Sequence, residues 1–203
     1  PNLIVPPRFF SLPLYTFVPL CHSSNKPTTG VQLFPNSLVE AFFIFNKFLA
    51  ASIIAICIPK HIPKKGILFY DISTLISNAE VWQNTIEHMA HLVEPYNPKF
   101  LAGVEARGFI VAASLASKIN CGLIMVRKAG KLPGQTISHE YDLEYGTDTI
   151  EVQADALKPG DSAIVVDDIL ATGGTMLAAT HLLEKLGANV VLNAAMIELS
   201  FLN

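Results

Sequence analysis

Positive charge is not in excess in this chain. Fourteen Lys and Arg face 17 Asp and Glu across 203 residues, a net charge of −3, and the basic residues do not gather in one stretch. Affinity for nucleic acid rests on neutralising phosphates, so this balance argues against a general nucleic-acid binder. Cysteine is scarce as well. Cys21, Cys57 and Cys121 are odd in number, far apart and without CxxC spacing. They offer neither a disulfide framework nor a zinc site, and they fit reduced thiols in a cytoplasmic protein. His88, His91, His139 and His181 stand without ligand-like partners, and no internal repeat is present. Two nucleotide-binding signatures are also missing, the Gly-Lys-Ser/Thr of a Walker loop and the GxGxxG of a dinucleotide fold.

Charge and glycine are unevenly spread. Residues 1–57 hold four charged residues (Arg8, Lys26, Glu40 and Lys47), one glycine, seven prolines and eight of the twelve phenylalanines. The other 146 residues carry 27 charges and eleven glycines, an ordinary globular mixture. In the first part, Ala41 to Ile58 (AFFIFNKFLAASIIAICI) is long enough to span a bilayer, with Lys47 its only charge and Lys60, Lys64 and Lys65 after it. Two readings are open for it. One is a membrane anchor or uncleaved signal segment. The other, expected here, is that residues 1–57 are an extension that does not belong to the folded domain. The start at Pro1, a first methionine at Met89 and the abrupt break in composition all favour it. The domain is then expected over 58–203. It is expected to be cut short at its carboxyl end, because "IELSFLN" has no turn after a strand.

From residue 58 onward short apolar runs alternate with helical spacing. Lys99–Glu105 and Cys121–Val126 read as strands, Val81–Val93 and Gly108–Ile119 as helices, and Asp71-Ile-Ser-Thr as a turn or cap. A polar stretch runs from Arg127 to Asp148, and Thr149–Gln153 alternates like a half-exposed strand. Lys158-Pro-Gly-Asp161 makes a turn, and "SAIVVDD" is an apolar strand ended by two acids. A helix follows over Thr175–Leu186, stopped by Gly187, and "NVVLNAAMIEL" is a further strand. This pattern predicts an α/β fold with a mostly parallel central sheet flanked by helices.

Ligands of such sheets sit beyond the carboxyl ends of the strands. There "AIVVDDILATGGTML" places Asp167 and Asp168 ahead of Ala171, Thr172, Gly173, Gly174 and Thr175. Residues without bulk let backbone N–H groups converge on an anion, and a helix amino terminus adds a favourable dipole. The two acids would repel a phosphate but accept hydrogen bonds from sugar hydroxyls. A ribose 5-phosphate satisfies both demands.

"VVDDILATGGT" resembles the phosphoribosyl-pyrophosphate (PRPP) motif of type I phosphoribosyltransferases. With "GILFYDIS", "GVEARGF", "VRKAGKLPG" and "YDLEYGTD", over about residues 59–203, the set resembles the adenine phosphoribosyltransferase subfamily. The resemblance implies the type I fold with a mobile flap. It also implies a purine salvage reaction in which adenine and PRPP give AMP and pyrophosphate, with Mg²⁺ held mainly by PRPP near Asp167 and Asp168, in a homodimer. It implies residue roles too. Glu105, Ala106 and Arg107 hold pyrophosphate on a tight loop with a cis peptide at Glu105–Ala106. Arg127, Lys128 and Lys131 neutralise it from the flap, Asp167 and Asp168 hold the ribose hydroxyls, and residues 171–175 cradle the 5′-phosphate. Glu144 takes the adenine N9 proton with Tyr145 supporting closure, and Leu68 and Phe69 form the base pocket. Members commonly carry a basic residue where Tyr70 stands, and "KHIPKKG" replaces their usual entry to this motif. Alternatives are the same fold acting on another purine such as xanthine, or a PRPP-sensing regulator without catalysis. Nucleic acid is not an expected partner, nor is a membrane unless 41–58 are an anchor.

Overall fold

The computed structural model describes residues 8–13, 71–142 and 146–198. The expectations placed on Ala41–Ile58, Leu68, Phe69, Tyr70, Glu144 and Tyr145 lie outside the described residues. The chain divides into two compact units, residues 1–13 with 82–203, and residues 14–81. In the second, helix α1 (Ser73–Ile76) begins where Asp71 Oδ1 accepts the Ser73 N–H at 2.9 Å.

The first unit is a seven-stranded sheet. Its strands are β1 (Arg8–Pro13), β2 (Phe100–Val104), β3 (Gly122–Lys128), β4 (Thr136–Asp142), β5 (Thr147–Gln153), β6 (Ser162–Leu170) and β7 (Asn189–Glu198). They lie in the order β1-β7-β6-β2-β3-β5-β4. The neighbours from β1 to β3 pair in parallel, whereas β3–β5 and β5–β4 are antiparallel. Helix α2 (Ala79–Val93) precedes β2, α3 (Gly108–Ile119) links β2 to β3, and α4 (Gly174–Lys185) links β6 to β7.

Parallel strands buried on both faces need near-continuous apolar sequence, and β6 and β7 supply it. Ala163, Val165, Ala102, Val104, Ile124, Val126, Ile150 and Val152 pack with Met176, Ala179, Leu182 and Leu183 of α4. The opposite face belongs to α3. There Gly103 leaves room for Ala112, whose Cβ lies 2.9 Å from where a Gly103 Cβ would stand. The two crossovers leave the β2–β6 boundary in opposite directions, β2 toward β3 and β6 toward β7. That boundary is the switch point at which a doubly wound sheet opens a crevice.

The structure departs from the sequence-based reading in three places. β6 does not end at the acids but runs on to Leu170, because β7 continues to pair with it as far as Leu170↔Glu198. The polar stretch from Arg127 contains a full strand, β4, paired with β5 from Thr136↔Gln153 to Asp142↔Thr147. Its polar residues suit the last strand of the sheet, which has no strand on its outer side among the described residues. Finally, only Ala171, Thr172 and Gly173 are loop, whereas Gly174 already joins Thr175 in the first turn of α4.

Candidate active site

β2 pairs with β6 only up to Gly103↔Val166, whereas β7 stays paired beyond it. One flank of β6 is therefore vacated at the two acids, and the turn from Glu105 to Arg107 passes there. Its Glu105–Ala106 peptide is cis, as the resemblance implies. From this turn Arg107 Nε reaches Asp168 Oδ2 at 2.9 Å. Asp168 is buried at 5 % exposure, and Arg107 supplies the charge that its Oδ2 would otherwise lack. The contact is an ion pair rather than a well-aligned hydrogen bond, since Oδ2 has no hydrogen-bond donor among the described residues.

Asp167 lies against the start of α3. A Cβ on Gly108 would stand 2.8 Å from Asp167 Oδ1 and 3.0 Å from the Val166 carbonyl oxygen, so only glycine allows this approach. Oδ1 also accepts the Asp168 N–H at 2.8 Å. Burial, and then the neighbouring Asp168 carboxylate, push the Asp167 carboxyl from its ordinary 3.8 up to about 8. Burial raises Asp168 as well, with the Arg107 guanidinium opposing it. Two adjacent acids in one crevice do not ionise independently.

The phosphate side begins at Gly173, whose φ of 82° is left-handed and turns the chain into α4 without a side chain in the way. The first N–H groups of α4 lack intrahelical partners, and no side chain caps them. They are the donors an anion would use. The Thr175 hydroxyl reaches Tyr141 Oη on β4 at 3.4 Å, which ties this turn to the antiparallel half of the sheet.

The basic side lies at the end of β3. Glu105 accepts from Arg127 Nε at 3.3 Å, from Arg127 Nη2 at 3.4 Å and from the Lys128 N–H at 2.9 Å. Burial opposes ionisation of Glu105, but the Lys128 N–H and the Arg127 guanidinium outweigh it, and the carboxyl titrates below the usual range. Arg127 Nη1 donates to the Lys131 carbonyl oxygen at 3.0 Å, and Lys128 Nζ pairs with Asp148 at 3.0 Å. Glu105 thus bridges the 105–107 turn and the basic end of β3.

The expected residues that can be placed therefore converge. Glu105, Ala106 and Arg107, the pair Asp167 and Asp168, residues 171–175, and Arg127, Lys128 and Lys131 all lie at or just beyond the carboxyl ends of β2, β6 and β3. Sequence reasoning passed over Gly108, Tyr141 and Asp148. The glycine carried a usable signal, for it follows the expected arginine directly at a helix start.

A sequence model of the phosphoribosyl transferase domain matches residues 73–198. The adenine phosphoribosyltransferase of Rhodospirillum centenum is 60 % identical over 141 residues, covering 70 % of this chain and 82 % of the relative. The chain belongs to the adenine phosphoribosyltransferase family. Among solved structures, the adenine phosphoribosyltransferase of Rhodothermus marinus superposes with a TM-score of 0.71 at 39 % identity, over 76 % of this chain and 89 % of that one. The Saccharomyces cerevisiae enzyme, solved with an imino-altritol bisphosphate and adenine, gives 0.65 at 40 % identity over 69 % and 82 %. The type I phosphoribosyltransferase fold expected from the motifs is the fold of this family member, and it is a pentosyltransferase fold.

Proposed function

We propose that the chain transfers the phosphoribosyl group of PRPP to N9 of adenine, releasing pyrophosphate and forming AMP in purine salvage. The observation that carries this reading is the Arg107–Asp168 contact at 2.9 Å, which brings the 105–107 turn to the acid pair. One substrate with pyrophosphate at C1 and a phosphate at C5 would touch the 105–107 turn, the acids and the α4 amino terminus together.

In this reading Asp167 and Asp168 accept hydrogen bonds from the ribose hydroxyls, and the backbone from Ala171 to Thr175 receives the 5′-phosphate. As the glycosidic bond to pyrophosphate breaks, negative charge builds on the leaving oxygen. Arg107, Arg127, Lys128 and Lys131 are the cations placed to offset it, and arginine suits the task because its fork meets phosphate oxygens bidentately. Glu144 accepts the N9 proton as the new bond forms. Leu68 and Phe69 hold the base, and Tyr145 supports closure of the flap, which keeps water from the reacting sugar.

The donor set bears on Mg²⁺. Among the described residues no three His, Cys, Asp or Glu gather as a cage for a metal, and Asp168 Oδ2 is already paired with Arg107. Asp167 and Asp168 are the carboxylates that would help to hold an ion brought mainly by PRPP, because Mg²⁺ commonly binds through substrate phosphates and retained waters. Such an ion would supply charge neutralisation for the departing pyrophosphate.

A homodimer belongs to the same reading. Leu123 and Met125 are exposed on β3, as is Ile110 on α3, and exposed apolar groups of this kind suit a subunit contact. A cytoplasmic location rests on the scattered cysteines. Among the described residues no helix is long and apolar enough to cross a membrane. The deciding experiment supplies PRPP and Mg²⁺ with adenine or xanthine and measures AMP and XMP. AMP formation is expected. XMP in its place, or PRPP binding without either product, would overturn the assignment.

A further inference from the structure

Glu151 is a carboxylate in the middle of a buried strand. It is 6 % exposed on β5, between Ile150 and Val152, which face the core shared with α4. On its own face the turn after β3 folds over it. Oε1 accepts the N–H of Lys131 at 3.0 Å and of Leu132 at 2.9 Å. The Thr136 hydroxyl donates to Oε2 at 3.3 Å. Successive N–H groups around a left-handed residue, here Gly130 with φ 77°, form a concavity that receives an anion, and Glu151 fills it from within. The Leu132 N–H, against the opposing effect of burial, and then those of Gly130 and Lys131 hold the carboxyl below its usual range.

The turn fixed in this way continues into the site. Lys131 donates its N–H to Glu151 and presents its carbonyl oxygen to Arg127 Nη1 at 3.0 Å. The other edge of that guanidinium is held by Glu105. Glu151 therefore acts on Arg127 through one peptide unit and on Lys131 through its own backbone.

We propose that Glu151 is a positioning residue for pyrophosphate, holding the Ala129–Leu132 turn so that Arg127, Lys128 and Lys131 face the leaving group. The proposal rests on the role given to those three cations above. Glu151→Leu removes both acceptors at similar size, whereas Glu151→Gln keeps a neutral Oε1. The leucine variant is expected to raise the KM for PRPP and the Kd for pyrophosphate about tenfold and to lower kcat as well, because the same cations offset the charge on the leaving group, with the KM for adenine within about twofold of wild type. The glutamine variant falls between, at about threefold. Unchanged PRPP and pyrophosphate affinities in folded protein overturn the proposal. Equal weakening of both substrates with a lowered Tm also overturns it, assigning Glu151 to general stability. If the leucine variant does not fold, the glutamine variant decides alone by the same split. A wild-type chain that forms no AMP defeats the functional reading by itself. Calorimetric titration with pyrophosphate then still judges Glu151, and a wild type that binds none overturns this proposal too.

Discussion

Where β2 and β6 end, the site is built mainly from close backbone approaches; where β3 ends, it is built from side chains that grip the backbone. On the parallel side, Gly108 lets α3 press against Asp167, and Gly173 turns the chain so that helix N–H groups stand open. On the antiparallel side, Glu105 and Glu151 accept the N–H groups of Lys128, Lys131 and Leu132 and thereby shape a charged turn. The first arrangement allows almost no substitution, because a Cβ has no space at Gly108 and any side chain is strained at the left-handed Gly173. The second allows graded change, because a shorter or neutral acceptor keeps part of the contact. Under the proposed function, the part assigned to the phosphoribosyl group is rigid by sterics, and the part assigned to the departing group is held by bonds that can be exchanged.

The largest effect is expected at Glu144, to which the proposed reaction assigns the N9 proton. Glu144→Ala should lower kcat by about a hundredfold or more while leaving PRPP affinity within a few-fold, the size of a lost general base. Steady-state and binding measurements on one preparation check this, and an unchanged kcat would remove Glu144 from the mechanism. Next comes Asp167→Asn with Asp168→Asn, expected to weaken PRPP binding by about a hundredfold in titration, with undiminished binding contradicting the ribose assignment. Gly108→Ala tests the steric half directly. It should cost about 1–3 kcal/mol of stability and weaken PRPP binding, whereas Gly134→Ala, whose Cβ would meet nothing within 4 Å but whose φ of +80° strains a side chain, should cost stability and leave PRPP binding unchanged. Equal effects on PRPP binding at the two glycines would erase the contrast.

The last test is a pH dependence. The carboxyl of Asp167 is raised in the folded chain from 3.8 to about 8, so its contribution is intact below the lower value and is lost as pH rises through the higher one. Asp167→Asn keeps the acceptor for the Asp168 N–H and cannot ionise. Its Tm should therefore gain on wild type from about pH 4 to about pH 8 and run parallel above that. Melting curves across this range read the difference, and a gap that shrinks with pH would refute the buried environment assigned to Asp167.

The parallel half was legible in the sequence because burial on both faces forces a long apolar run and the acids interrupt it visibly. Gly108–Ile119 is the same helix in the pattern and in the structure. The antiparallel half was less legible. Alternation in Thr149–Gln153 assigns Glu151 to the face away from the core, where a carboxylate reads as solvated. Nothing local shows that a turn twenty residues earlier folds over it. β4 was hidden for a related reason, since a strand with one neighbour satisfies its pattern with polar residues such as Thr136, Ser138 and Glu140. Asp148 and Tyr141 matter through partners distant in the chain, Lys128 and Thr175, which spacing cannot reveal.

Three of the site's cations have internal counterions, Arg107 with Asp168, Arg127 with Glu105 and Lys128 with Asp148. An anionic substrate arriving here replaces carboxylates that already neutralise those groups, instead of meeting bare positive charge. Added salt weakens long-range attraction between unpaired charges most, and has less hold on a swap between partners at contact distance. The KM for PRPP should accordingly climb more gently with ionic strength than a count of basic residues implies. Before its substrate arrives, a site that reads as strongly basic in the sequence is already close to electrically balanced.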